Sequence, residues 1–324
     1  SQYGPTMNRP WLHNRISVEH KLDPMLMSQH DIDAFHSSSS FDFVGGYSKI
    51  DTLYPMTETP YEPMKILANA APEGKETIPE LEWRRKILFV KDRNLLGPNY
   101  FVVRDDFGNA TKPTDWSCWC LAESVEFNGN TAVFKGKYGV DLDVFSVSPE
   151  KASWVKNKGV IPPPPEVQKV SYGPPADKWP EEYRAPKEDH APVVSHNFTY
   201  LGKQWMALNG KKTYEERQYC ARLEQPAGKG YLCVLYPRRR EGEPVPAYSA
   251  WANGEGAALT IAQEKHFVLH ATQEREIKAD GIEARAASFI VKRIGDNKQL
   301  TLVRGSLLRA DGLGIEGAAP VTLK

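Results

Sequence analysis

Apolar positions in this chain recur mostly with a period of two, in short runs bounded by turn residues. Across residues 83–149, runs rich in β-branched and aromatic residues are separated by Gly97-Pro98-Asn99, Gly108-Asn109, Asn128-Gly129-Asn130 and Gly136-Lys137. That is the chemistry of turns between antiparallel strands, and it predicts a meander. Trp116, Cys118 and Cys120 fall on one face of a strand and Ser117, Trp119 and Leu121 on the other. Both faces carry apolar groups, so both are predicted to be covered, which a sheet packed on another sheet achieves.

Before this stretch, Ile16 and Val18 alternate with polar residues as in a half-buried strand. Further strands are predicted at 32–35 and at 41–44, the second ending in a turn at Gly45-Gly46. Residues 51–80 contain prolines and little periodicity, and read as an irregular surface excursion. Over 155–195 the composition shifts to runs such as Pro162-Pro163-Pro164-Pro165 and Pro174-Pro175. Consecutive prolines favour a stiff, extended connection, here strapped along the sandwich with Trp179 and Tyr183 as anchors. After Asn197 the strand pattern returns at 214–223, 230–236, 247–251, 257–261, 266–270, 287–294 and 300–303. The expected fold class is all-β: a large antiparallel β-sandwich over 1–247, including the connection at 155–195, with a smaller C-terminal β region over 248–324.

The chain of 324 residues has 41 Lys+Arg against 41 Asp+Glu. A formal charge of zero argues against wholesale attraction to nucleic acid or an anionic membrane, and leaves room for a local basic cleft that binds an acidic sugar. No apolar run approaches the roughly 20 residues that span a bilayer. Four cysteines are too few for a disulfide scaffold at this length. Cys118 and Cys120 share a strand face and are badly placed to bond to each other. Cys220 and Cys233 flank a turn at 226–230 and could lie across a hairpin as a bridge, free buried thiols being the other reading.

Several segments together resemble the β-sandwich half of the heparinase II/III-like polysaccharide lyases. They are His13-Asn14-Arg15-Ile16-Ser17-Val18, then Phe41-Asp42-Phe43-Val44 with Tyr47, and Arg84-Arg85-Lys86-Ile87-Leu88-Phe89-Val90 leading to Tyr100-Phe101-Val102-Val103-Arg104-Asp105. The run from Phe134 to Leu142 and Val234-Leu235-Tyr236-Pro237-Arg238 complete the match. The resemblance implies β-elimination on a uronic-acid-containing glycan. A carboxylate is neutralised, a base removes the C5 proton, and O4 leaves protonated. It also implies an α/α toroid upstream that brings the main catalytic groups, so this chain would form one wall of the cleft and be inactive alone. The expected setting is periplasmic or secreted.

The same resemblance makes His13 a ligand of a structural zinc whose partners lie upstream, imidazole nitrogen being a suitable donor. The alternative is a histidine bonded to backbone at a strand end. Tyr3 stands where such lyases carry a cleft tyrosine that assists proton transfer to the glycosidic oxygen; a plain terminal residue is the alternative. Arg84 and Arg85 are candidates for binding uronate carboxylates or sulfates, against a solvated strand end. Arg238-Arg239-Arg240 is a second basic run. His266 and His270 have a zinc-like spacing, but Phe267-Val268-Leu269 between them argues for a strand and a structural role. A non-catalytic carbohydrate-binding or scaffold module, with Trp179 or Trp251 stacking on sugar rings, is the competing function.

Overall fold

A computed structural model describes residues 14, 16–18, 22–23, 29–55, 76–92, 94, 96–136, 138–154, 168–169 and 217–323. The strands before the Pro-rich connection are β1 (Ile16–Val18), β2 (Leu22–Asp23), β3 (Gln29–Ser37), β4 (Phe41–Pro55), β5 (Glu76–Val90), β6 (Tyr100–Gly108), β7 (Thr114–Asn128), β8 (Thr131–Gly136) and β9 (Val140–Ser148). Then come β10 (Gln168–Lys169), β11 (Arg217–Gln225), β12 (Tyr231–Arg239), β13 (Ala247–Trp251), β14 (Gly256–Ile261) and β15 (Glu264–Ala279). The last are β16 (Ile282–Ile294), β17 (Asn297–Ala310), β18 (Leu313–Glu316) and β19 (Val321–Leu323). The chain is all-β and antiparallel, as its alternating pattern predicts.

A 12-stranded sheet runs in the order β1-β2-β4-β5-β6-β12-β9-β8-β7-β11-β10, with β3 added on β4. It curls back on itself because β1 pairs with β2 and also with β7. A 7-stranded sheet, β13-β14-β15-β16-β17-β18 with β19 on β17, covers one of its faces. The shared core contains Phe43, Leu88, Tyr100, Val102, Val234 and Tyr236 from the large sheet and Leu259, Val268, Ile290 and Val303 from the smaller one. Alternation along β12 sends Leu232, Val234 and Tyr236 into this layer, and Tyr231 and Cys233 into a second core with Trp116, Cys118, Phe134 and Leu223. Both faces of the large sheet are therefore packed along this strand, as the apolar character of both faces of 116–121 predicts.

Three local expectations are corrected. The meander across 83–149 is interrupted, since β12 inserts between β6 and β9. Gly45-Gly46 is no turn: β4 runs straight through it. The glycines instead lie against a bulge in β3 between Ile32 and Ala34, where a Cβ at Gly45 would stand 2.9 Å from Asp33 Oδ1 and one at Gly46 would stand 2.9 Å from the Asp31 carbonyl oxygen. At Gly46, where the neighbour is backbone, the approach requires glycine. Finally, Cys220 and Cys233 do not face each other across a hairpin, because β11 pairs with β7 while β12 pairs with β6 and β9. All four cysteines are free, and burial pushes the Cys220 thiol up to about 12.

Candidate functional site

The carboxylate of Asp105, on β6, is inaccessible to solvent and organises one end of the large sheet. It accepts hydrogen bonds from Trp83 Nε1 at 2.7 Å, Arg85 Nε at 2.7 Å and Arg85 Nη2 at 3.0 Å. Register explains the convergence: Arg85 lies directly across from Asp105 in the β5–β6 pair, and Trp83 stands two residues away on the same face of β5. The guanidinium also covers the Trp83 ring, 5.2 Å from its centroid. A buried carboxylate held by a planar fork and an indole N–H is a fixed anchor, since losing Arg85 would leave its charge uncompensated and losing Trp83 would leave an oxygen short of a donor.

This anchor reaches the beginning of the described chain. Arg85 Nη1 donates to the Asn14 carbonyl oxygen at 2.7 Å, and Asn14 Oδ1 accepts the Trp119 backbone N–H at 2.5 Å. The position next to His13 is thus fixed on the Arg85–Asp105 pair and on β7. Beside it opens a groove of about 280 Å³ lined by His30, Asp31, Tyr47, Ser48, Trp83 and Arg85, with Gly46 in its floor. His30 Nδ1 lies 3.3 Å from Ser48 Oγ. Arg84 projects to the opposite face of β5 from Arg85, over the Tyr47 ring at 5.4 Å, paired with Asp33 at 3.0 Å and with Glu82. Of the two, only Arg85 lines the groove, and it spends three donors on protein partners. Asp105 was missed as a site residue; in the sequence it is one of two adjacent acids, Asp105-Asp106, after Arg104, and only the β5–β6 register sets it opposite Arg85.

Tyr3 and His13 lie outside the described residues. Among the described residues, no three His, Cys, Asp or Glu side chains are grouped to hold a metal ion. His266 and His270 are buried on β15: His266 bridges the Tyr100 hydroxyl at 3.2 Å and Glu264 at 3.0 Å, and His270 Nδ1 meets Ser288 Oγ at 3.2 Å. Trp251 is corrected as a sugar platform. It is buried against Phe267 and Phe289, with Nε1 donating to Asp280 at 2.8 Å.

The basic run at the end of β12 is structural. Arg238 is buried against Asp143 at 3.1 Å and Asp141 at 3.4 Å, Arg240 pairs with Asp141 at 3.0 Å, and Arg239 pairs with Glu243. Tyr248 donates to Asp143 at 3.1 Å. Burial opposes ionisation of Asp141, yet the hydrogen bonds from Arg240 and the Gly136 N–H, with Lys135 nearby, hold its carboxyl below the usual range.

Fold and site together define an antiparallel β-sandwich with a buried Arg–Asp anchor beside a small aromatic and polar groove. No protein-family profile matches the chain, and no curated protein does. Among solved structures, a mutant of the heparan sulfate lyase HepC from Pedobacter heparinus is similar with a TM-score of 0.46 and 13% identity, over 91% of this chain and 31% of that one. Heparinase III is similar with a TM-score of 0.36 and 11% identity, over 79% of this chain and 29% of that one. The chain spans under a third of the length of either.

Proposed function

We propose that this chain is the β-sandwich part of a polysaccharide lyase that cleaves a uronic-acid-containing glycan by β-elimination, in a periplasmic or secreted setting. The observation that carries the reading is the meeting of the resembling segments at one place. Asn14, Tyr47 and Arg85 come from three separated stretches of sequence and gather around the buried carboxylate of Asp105, in a fourth, and its groove, with Arg84 stacked on Tyr47 at its side. In this reading the sandwich forms one wall of the cleft. Arg84 keeps nearly half of its side-chain surface open to solvent and meets the acidic sugar. Arg85 positions the Asn14 loop, so that His13 acts as a ligand of a structural zinc and Tyr3 assists protonation of the leaving oxygen. The base and the carboxylate-neutralising groups come from an upstream α/α toroid.

The test is an elimination assay on uronate glycans, with the 324-residue chain alone and joined to the sequence that precedes it. Ultraviolet-absorbing unsaturated uronate produced only by the longer protein, and reduced by Arg84→Ala, is the expected result. Retention of the glycan without any turnover by the longer protein would replace this reading with the non-catalytic binding module. For zinc, elemental analysis of the longer protein with and without His13→Ala should show loss of the metal in the variant.

A further inference from the structure

A second cleft, of about 600 Å³, opens between the two sheets at the opposite ends of β4 and β5 from the groove beside Arg85. Ser39 and Ser40, before β4, and Lys91 and Asp92, after β5, form its wall on the large sheet. The turns that follow β16 and β17 form the facing wall.

A bend in one strand builds that facing wall. β17 is 14 residues long and would span roughly 45 Å if straight. Yet Lys298 Nζ, near its start, donates to the carbonyl oxygen of Asp311, just past its end, at 3.4 Å. The strand therefore doubles back, at the register shifts around Gly305. Arg293 clasps the closure, with Nε and Nη2 donating to the two carboxylate oxygens of Asp311 at 2.6 and 3.1 Å. Across the interface Lys292, with a side chain only 1% exposed, donates through Nζ to the Lys91 carbonyl oxygen at 2.8 Å and stands 3.9 Å from Asp92. Both walls are thus fixed before any ligand arrives, which lowers the ordering cost of binding.

The lining then selects the ligand. Lys91 and Lys298 stand among Asp92, Asp296 and Asp311, so neither a polyanion nor a simple cation meets a field of one sign. No three described His, Cys, Asp or Glu side chains are grouped to hold a metal ion. Asn297 and Gln299 each present an amide that donates and accepts. Among the described residues, the side chains of Ser39, Asp296 and Asn297 are engaged in no hydrogen bond to protein. Ile294 and Leu313 add an apolar patch. Interleaved donors and acceptors beside a small apolar surface suit a molecule without net charge, whose hydroxyls both donate and accept and whose ring carries a C–H face.

We propose that this cleft binds an uncharged oligosaccharide, with Asp296, Asn297, Lys298 and Gln299 meeting its hydroxyls and Ile294 and Leu313 its C–H face. The site stands on its own residues and not on the lyase reading, so a chain that binds such a sugar without supporting elimination leaves it intact.

The experiment is a titration of the 324-residue chain with cellotriose, maltotriose and mannotriose, and with trigalacturonate at the same ionic strength. It is followed by the amide signals of Ser40, Asn297 and Gln299 in the cleft and of Gly46 and Ser48 at the other groove. Saturable shifts at the cleft signals are expected with at least one neutral trisaccharide, and weaker binding there of trigalacturonate. Half-saturation should rise about fivefold or more in Asn297→Ala and in Gln299→Ala, each of which removes hydrogen bonds to the sugar. It should stay unchanged in Arg239→Gln, whose guanidinium pairs with Glu243 elsewhere. The Asn297 side chain is exposed, so that variant keeps the fold. Cleft signals unmoved by all three neutral sugars, shifts confined to Gly46 and Ser48, or the same half-saturation in Asn297→Ala and Gln299→Ala as in the parent chain would overturn the site. Tighter binding of trigalacturonate than of every neutral sugar at the cleft signals would overturn the choice of an uncharged ligand.

Discussion

Neighbours in the seven-stranded sheet are neighbours in the chain, each strand from β13 to β18 turning back on the one before it. In the large sheet β12 instead lies between β6 and β9, and β7 gathers β1, β8 and β11 along its length. Tight turns are enough to set register in the first case. Where β12 meets β6 and β9, no local turn can align the partners, and buried charge does so. Arg238 on β12 finds Asp141 and Asp143 on β9, and a second buried pair, Arg85 with Asp105, fixes the neighbouring consecutive strands β5 and β6. A one-residue slip would turn each of these groups to the other face and leave it buried alone. Removing a charge should therefore hurt the large sheet most, while the smaller sheet should be most sensitive to backbone geometry.

The largest expected effect is that of Arg238→Met. It leaves the two buried carboxylates with Arg240, Lys135, Tyr248 and the Gly136 N–H beside them, and should lower stability by about 3–5 kcal/mol, read from the shift in denaturant midpoint. A loss under about 1 kcal/mol would remove the argument that buried charge aligns β12. In the smaller sheet the matching variant is Gly305→Ala. Gly305 has φ +151 at the register shifts between β16 and β17, and a Cβ there would come 2.6 Å from the Cα and Cβ of Ala286. The expected loss is about 1–3 kcal/mol, with Gly312→Ala, which meets no neighbour within 4 Å, losing less.

Acid should separate the two regions by pH window. Burial holds the His270 pKa at about 3, well below its ordinary 6.5, with Arg104, Lys86 and Arg304 adding to the effect and the Lys86 backbone opposing it. Between those values the unfolded chain binds a proton that the folded chain refuses. Stability therefore falls as pH drops below 6.5, by up to about 1.4 kcal/mol per pH unit. His266, also lowered by burial, acts in the same direction. Asp141 is lowered too, but as an acid: its contribution is complete above the unfolded carboxylate pKa and disappears as pH falls through the folded value. His270→Gln should flatten the stability profile between pH 6 and about 4, whereas Asp141→Asn should alter it only below about 4. Equal slopes in the parent chain and His270→Gln would contradict the burial of a neutral ring.

How much of this was legible in the sequence follows from the same contrast. Strands built by hairpins were readable, because Asp280-Gly281, Gly295-Asp296-Asn297 and Asp311-Gly312 announce the turns and alternation announces the strands. The insertion of β12 was not, since nothing local distinguishes a strand that pairs with its predecessor from one that crosses over. Gly45-Gly46 misled for a related reason: a glycine pair that admits a bulged neighbour looks the same in sequence as one that turns the chain. Arg84 and Arg85 were visible as a basic pair, but Asp105, which fixes Arg85, gains its meaning only from the β5–β6 register. Trp251 looked like an exposed aromatic because its partners Phe267, Phe289 and Asp280 arrive from later strands.

The smallest effect belongs to a charge pair that lacks burial. Lys278 and Glu283 face each other across the β15–β16 hairpin at 3.6 Å, with side chains 79% and 43% exposed. Water screens both groups in either state, and ordering two long side chains offsets most of the attraction. Register here is already set by the turn at Asp280-Gly281, where both residues take positive φ, so the pair has no aligning task. Lys278→Ala should change stability by less than about 0.5 kcal/mol, and the double variant with Glu283→Ala should show a coupling of similar size. If thermal and denaturant unfolding instead gave a loss comparable with Arg238→Met, charge would be aligning the hairpin sheet as well, and the contrast between the two modes of assembly would not hold.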